Sequence, residues 1–336
     1  MTDIIKPFPK LDKITPIPIP FSEVPYLLTA NIYALGQEEI TLIDAGPGIP
    51  GALECIKKSF IKEGLDFNSI NRIILTHGHM DHFGLAASII EEVDHPVGVF
   101  IHLKDRWRIS TEFLKNEIWL DELDGLQKIA GIPDNELNII KKNMKKYYKI
   151  ARPLDDLIIM EDDDIFYGNG YSLQVIHSPG HSPGLCCLFE PNRKVLFSSD
   201  HILKKITPKP ILAFGRDKLP DKEYNGLIAY MDSLERVLNL DVKYLLPGHG
   251  EWIEDMQPVI NQYRLLYSER MELVWNAVRH RELPVYYLIK DIFPNIEKSG
   301  LFIALSEIIA HLDALVFLGR IEILSPGPPV IYRAIK

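Results

Sequence analysis

The stretch "ILTHGHMDHFG", residues 74–84, sets His77, His79, Asp81 and His82 within six positions. It follows the short apolar run "RIILT" and precedes "GLAASIIEEV", whose spacing is helical. The cluster therefore sits where a buried strand ends and a helix begins. His77 and His79 alternate and point the same way there, while Asp81 and His82, a turn further on, face a second point. Neutral imidazole and carboxylate together suit zinc, iron or manganese.

Three other strand ends repeat this grammar. "VIHSPGHSPG" (175–184) offers His177 and His181, "LFSSDH" (196–201) ends on Asp200 and His201, and "LLPGHG" (245–250) delivers His249 between two glycines. Four strand ends that each present a His or Asp beside small residues point to one convergent metal site rather than to scattered surface histidines. His95, His102, His280 and His311 lie outside these motifs and read as structural. His201 reads equally well as pocket lining or as a packed side chain.

The flanking chain alternates strand and helix. "LLTANIYALG" and "ITLIDAGPG" read as paired strands, "GALECIKKSFIKEGL" as a helix and "PVGVFIH" as a further strand. Residues 103–156 break the rhythm and read as a helical insertion, a lid over one end of the sheet. Its aromatic and apolar residues Trp107, Phe113, Trp119, Leu120, Tyr147 and Tyr148 either wall an acyl pocket or form the lid's own core. The basic run "KKNMKKYYKIAR" (141–152) reads as a solvated face, with an anion dock as its functional alternative. Strands resume at "YSLQVIHS", "GLCCLFE", "KVLFSSD" and "VKYLLP". After a boundary placed near 262, inside a connecting helix, residues 263–336 follow the order of a winged helix domain: helices, then a hairpin around "SPGPP".

The motifs HxHxDH (77–82), HSPGHSPG (177–184), SSD (198–200) and PGHG (247–250), in this order, resemble the metallo-β-lactamase superfamily. "LIDAG", with Asp44, resembles that family's first motif. The resemblance implies an α/β fold, a four-layer αβ/βα sandwich with two divalent metal ions between its sheets, zinc foremost and iron or manganese as alternatives. Carried over residue by residue, it implies that His77, His79 and His181 hold one ion, Asp81, His82 and His249 the other, and Asp200 bridges them. Asp44 orients ligands from behind, and His177 is a supporting or structural histidine. Ser199 stands where relatives often have glycine. Asp200 stands where many true β-lactamases carry cysteine, so the pattern is nearer the glyoxalase II, lactonase and nuclease branches. The tail and "ITPKP" (206–210) resemble a thioesterase and endoribonuclease-like branch.

Such a pair of ions lowers the pKa of a shared water towards about 7 and yields a bridging hydroxide as nucleophile, with Asp81 and Asp200 as the catalytic carboxylates. No GxSxG elbow supplies an alternative nucleophile. The net charge of −9 fits a small acyl substrate, foremost a thioester, better than RNA, since a nucleic-acid binder needs a positive footprint. The acidic and basic residues of the tail nearly balance, so packing or a homodimer contact suits it better than RNA. An endoribonuclease is the alternative function, with a lactonase behind it. A redox scaffold ranks last, for want of a flavin domain. Cys55, Cys186 and Cys187 are an odd set without a CxxC pair, the last two suited to a buried strand. No secretory signal is evident at the N-terminus, and no apolar run reaches the roughly 18 residues a bilayer span needs. A cytoplasmic protein is expected.

Overall fold

The computed structural model describes residues 7–21, 27–212, 224–279 and 281–335, so His280 lies outside the described residues. The first sheet contains β1 (Ile14–Pro20), β2 (Thr29–Leu35), β3 (Ile40–Ile43), β4 (Ile70–Ile74), β5 (Gly98–His102) and β6 (Ile158–Met160), paired in chain order. The second contains β7 (Ile165–Gly168), β8 (Tyr171–His177), β9 (Cys186–Glu190), β10 (Val195–Ser199) and β11 (Tyr244–Pro247), also in chain order. In the first sheet β1–β2–β3 are antiparallel and β3–β4–β5–β6 parallel.

Side-chain alternation explains why two sheets stack. Along β2, Tyr33 and Leu35 face the second sheet, while Ile32 and Ala34 face the helices. Along β9, Cys186 and Leu188 face the first sheet, while Cys187 and Phe189 face outward. The adjacent cysteines therefore lie on opposite faces of one buried strand, both as free thiols. Helices α1 (Ala52–Glu63) and α3 (Ala86–Glu92) cover the first sheet through Ile56, Phe60 and Ile89. Helix α8 (Gly226–Leu238) covers the second through Leu227, Tyr230 and Leu234. The result is the expected αβ/βα sandwich.

The proline-rich stretch "ITPIPIP" forms β1. Pro16, Pro18 and Pro20 alternate with Ile17 and Ile19, which are buried, and β1 is an edge strand where missing N–H groups break no ladder. Between β5 and β6 the chain forms α4 (Leu103–Arg106), a 3₁₀ turn at Trp107–Ile109, α5 (Thr111–Lys115), α6 (Ile118–Ala130) and α7 (Asp134–Tyr148). Phe113, Trp119 and Tyr148 are buried in these helices' own core, with Trp119 and Tyr148 rings 4.9 Å apart. In the basic run, Lys141 pairs with Asp124, Lys145 with Glu117 and Arg152 with Glu91, as a solvated face would.

The C-terminal part is α9 (Gln257–Arg279), α10 (Val285–Ile292), α11 (Leu301–Phe317) and the hairpin β12 (Ile321–Ser325)–β13 (Ile331–Ala334). Helix α9 runs unbroken through position 262. One continuous core joins α10 and α11 to the insertion, through Val285, Ile289, Leu301 and Leu305 against Leu137 and Ile140. Contrary to the expectation from apolar runs, Lys298–Phe317 is long and apolar enough to cross a membrane, with mean hydropathy 1.8 over an 18-residue window within it. In this fold 61% of that stretch is buried, and it carries the buried polar residues Glu307 and His311.

The inter-sheet layer sets the stability expectation. Phe197 is buried and meets the Tyr33 ring edge-on at 5.1 Å. Phe197→Ala should lower unfolding free energy by about 3–5 kcal/mol in a denaturant titration, because it removes apolar contact and leaves a cavity. A loss below about 1 kcal/mol would contradict this packing.

Candidate metal centre

All seven side chains proposed as ligands from the motifs come together at one end of the sandwich, and all are buried. Strand β4 carries the chain into His77 and His79, and the short helix α2 (Met80–Phe83) presents Asp81 and His82. The loop after β8 brings His181, the end of β10 brings Asp200, and the turn after β11 brings His249.

Two clusters result. His79 Nδ1 lies 3.0 Å from His77 Nε2 and 2.9 Å from His181 Nε2, so three ring nitrogens converge on one point. In the other cluster His249 Nε2 lies 3.3 Å from His82 Nε2 and 3.4 Å from Asp81 Oδ2. Asp200 stands between them. Its Oδ1 is 3.4 Å from His82 Nε2 and 3.3 Å from His249 Nε2, and its Oδ2 is 3.5 Å from His181 Nε2.

The donor chemistry fits two cations. Burial, followed by the neighbouring imidazoles, holds the pKa of His77 and His79 well below the usual histidine value; burial lowers His181 too, so all three are neutral ligands with free lone pairs. Asp200 Oδ1 is buried without a hydrogen-bond partner, an orphan acceptor that a cation would satisfy. Burial lowers the pKa of His249, but Asp200 and Asp81 beside it push it up to about 10. That excess of negative charge is a further attraction for a cation.

The backs of the rings are held as well. His82 Nδ1 donates to Asp44 Oδ2 at 2.8 Å, His181 Nδ1 to the Lys209 carbonyl at 2.9 Å, and His249 Nδ1 to the Thr29 carbonyl at 2.7 Å. Thr76 donates its hydroxyl to Asp44 and so accepts from His77 Nδ1 at 3.1 Å. These bonds fix four tautomers with Nε2 turned inward. Asp44 also accepts the Thr76 N–H at 2.8 Å, so it ties the ends of β3 and β4 together.

For other residues the sequence left two readings open. The His177 ring binds the Pro183 carbonyl at 2.9 Å and stacks on His102 at 4.1 Å, so it braces the His181 loop without touching a candidate ligand. His201 is fully buried against Tyr230, with rings 5.0 Å apart, which settles it as packed. Of the insertion's aromatics, Tyr147 reaches the centre, its hydroxyl donating to Asp81 Oδ1 at 2.8 Å. Ser199 has a φ of 47°, a conformation that favours glycine, and its hydroxyl lies 2.7 Å from Thr76 Oγ1. Backbone angle, more than side-chain size, is thus what glycine in relatives would serve. Gly248 has a steric reason: a Cβ there would sit 2.6 Å from Asp200 Oδ1 and 2.8 Å from His82 Cε1.

Asp105 is the residue that motif reading missed. It is fully buried, and its Oδ2 accepts from Gly78 N–H at 2.8 Å and Ser182 Oγ at 2.7 Å, while Oδ1 accepts from Gly184 N–H at 2.8 Å. One carboxylate therefore joins the loop of His77 and His79 to the loop of His181. Its only sequence signal was an acid just after β5, at the mouth of the insertion. A Cβ at Gly184 would come within 2.9 Å of it, which explains that glycine.

With this geometry in hand, the comparisons agree. The sequence model of the metallo-beta-lactamase superfamily matches residues 25–249. The chain belongs to the metallo-beta-lactamase superfamily, and it is a metal-dependent hydrolase with a dinuclear metal site. It is 27% identical over 310 residues to the "Probable metallo-hydrolase YqjP" of Bacillus subtilis (strain 168), covering 91% of this chain and 93% of that one. It is 25% identical over 231 residues to the "Acyl-coenzyme A thioesterase MBLAC2" of Homo sapiens, covering 66% and 72%. In fold it matches the metallo-beta-lactamase family protein TTHA1429 from Thermus thermophilus, with a TM-score of 0.81, 24% identity and 97% and 99% coverage.

Removing the Asp105 carboxylate should loosen both loops. Asp105→Ala leaves two backbone N–H groups and a hydroxyl buried without an acceptor, at about 1–3 kcal/mol each. Thermal unfolding of the metal-free protein should show the loss, and a zinc titration should show weaker binding by about 10–100-fold. Unchanged zinc binding in a folded variant would contradict the role given to Asp105.

Proposed function

We propose that this hydrolase cleaves a small acyl substrate, foremost a thioester, with zinc as the metal. The observation that carries the reading is the depression opening at His249, whose walls include Leu27, Leu28, Leu203 and Ile206. Four apolar side chains beside the metal centre suit an acyl chain, and the two lysines on the same rim, Lys204 and Lys205, are both paired with Glu251, at 2.6 and 3.3 Å. Leu28 is 39% exposed and has a φ of 58°, a backbone conformation that costs energy for a non-glycine residue, and it stands at the mouth of this depression. The likeness to a relative named as an acyl-coenzyme A thioesterase supports the same class.

In this reading His77, His79 and His181 hold one ion, Asp81, His82 and His249 the other, and Asp200 faces both. When bound, the ions supply Lewis acidity and a water acidified to about pKa 7. The chain's own groups do the rest. Asp81 and Asp200 offset part of the metal charge. Tyr147 donates to Asp81 Oδ1 and so leaves Oδ2 turned to His249. Asp44, Thr76 and the Thr29 and Lys209 carbonyls hold the rings in a fixed tautomer, so no reorganisation is needed during turnover.

Ion pairing in the C-terminal part speaks against RNA. Arg264 pairs with Glu235, Arg281 with Asp291, Arg320 with Glu272 and Arg333 with Glu322, so these arginines present little free positive charge. We read residues 263–336 as a winged-helix-like unit used for packing.

An assay of zinc-loaded protein on acyl-CoA, acylglutathione, lactone and single-stranded RNA substrates tests the reading. Thioester turnover should dominate, should vanish on chelation, and should fall at least about 10²-fold in His79→Ala. Turnover of RNA alone, steeply weakened by salt, would replace the thioesterase reading with a ribonuclease. Full activity in His79→Ala would remove the metal mechanism itself.

A further inference from the structure

The "ITPKP" segment, residues 206–210, meets the metal centre through the Lys209 carbonyl and the Ile206 wall, and what holds the segment itself lies outside the site. The Lys209 carbonyl holds the His181 ring at 2.9 Å, and Ile211 N–H donates to the His181 carbonyl at 3.1 Å. The His181 ring therefore takes its orientation from this segment.

The segment in turn is gripped by C-terminal helices. Lys209 Nζ lies 3.0 Å from Oε2 of Glu307 on α11, and Oε1 of the same carboxylate lies 3.1 Å from Nε of Arg270 on α9. The Glu307 side chain is 4% exposed. Tyr267 on α9 donates to the Pro208 carbonyl, and Tyr263 contacts the Leu203 and Ile206 carbonyls. His311, one turn along α11, binds the Glu307 carbonyl through Nδ1 at 2.6 Å. The Arg270 guanidinium also lies 4.2 Å from the Phe293 ring centroid.

A buried carboxylate with two cations is costly to assemble and adds little stability compared with a hydrophobic contact. Its distinctive property is directional. It fixes the Lys209 side chain at one place on α11, and the carbonyl of the same residue fixes His181. We propose that Glu307 is a positioning residue for the metal centre: through Lys209 it sets the carbonyl that orients His181, so the C-terminal helices complete the site they do not line. This rests on His181 serving as a metal ligand, as proposed above. It also gives "ITPKP" a task, with Lys209 linked to the C-terminal unit by its side chain and to His181 by its backbone.

Zinc titrations of the full, chelator-stripped chain test it, with wild type, Lys209→Met, Glu307→Gln and the exposed-pair control Glu322→Gln compared. Lys209→Met cuts the link while leaving Arg270 on Glu307 and every backbone carbonyl in place. It should weaken one of two zinc sites by more than about twofold, but by less than the about 10–100-fold that loss of an outer hydrogen-bond partner itself brings, because the carbonyl remains and only its anchor is cut. Glu307→Gln should do the same, and Glu322→Gln should match wild type. In ¹⁵N spectra of the metal-free protein, His181 should show a single tautomer with Nδ1 protonated in wild type and a mixture in Lys209→Met. A folded Lys209→Met protein that binds two zinc ions within twofold of wild type, with the His181 tautomer unchanged, would overturn the proposal even if Glu307→Gln fails to fold. Wild type that binds no zinc would instead overturn the metal reading on which it rests.

Discussion

Two aspartates and five histidines are buried against one another at the end of this sandwich, and the remainder of the structure is arranged around that cost. Polar groups withdrawn from water need partners. Here the partners on the protein side are supplied behind the rings: Asp44 for His82, Thr76 for His77, and the Lys209 and Thr29 carbonyls for His181 and His249. In front of the rings the nitrogens and carboxylates face one another at 2.9–3.5 Å, with the Tyr147 hydroxyl on Asp81. Cations are the partners that satisfy such a set.

The sheets supply the rigidity this requires. Ligands arrive from four strand ends, and non-local ties hold those ends in register. Asp44 joins β3 to β4, Asp105 joins the loop after β4 to the loop after β8, and Tyr33 donates to the Pro247 carbonyl at 2.7 Å at the end of β11. Three of the seven non-glycine residues with positive φ among the described residues lie at the same place. Leu28, Asp44 and Ser199 all have positive φ, and each borders the centre. Backbone held in such conformations costs about 1–3 kcal/mol per residue and persists where surrounding contacts over-determine it.

The parts of this arrangement that were legible in sequence were those carried by local pattern. HxHxDH, PGHG and SSD announce ligands through residue type and spacing, and the continuous apolar run in "GLCCLFE" announces a strand buried on both faces. What stayed hidden depends on contacts distant in sequence. Asp105 looks like any acid in a helical turn until Gly78, Ser182 and Gly184 are brought to it. Lys209 gains meaning only with Glu307, nearly a hundred positions on. The apolar helix Lys298–Phe317 misleads in the other direction, because its hydrophobicity serves a core shared with the insertion. The strand at "ITPIPIP" was concealed by prolines that only an edge position tolerates.

The central claim is that these seven side chains form two ion sites sharing Asp200. Anomalous diffraction from zinc-loaded crystals tests it most directly. The account predicts two peaks about 3.5–4 Å apart. One should lie about 2.0–2.2 Å from nitrogens of His77, His79 and His181, the other at that distance from Asp81, His82 and His249, with Asp200 reaching both. A single peak, or zinc bound away from these residues, would contradict it.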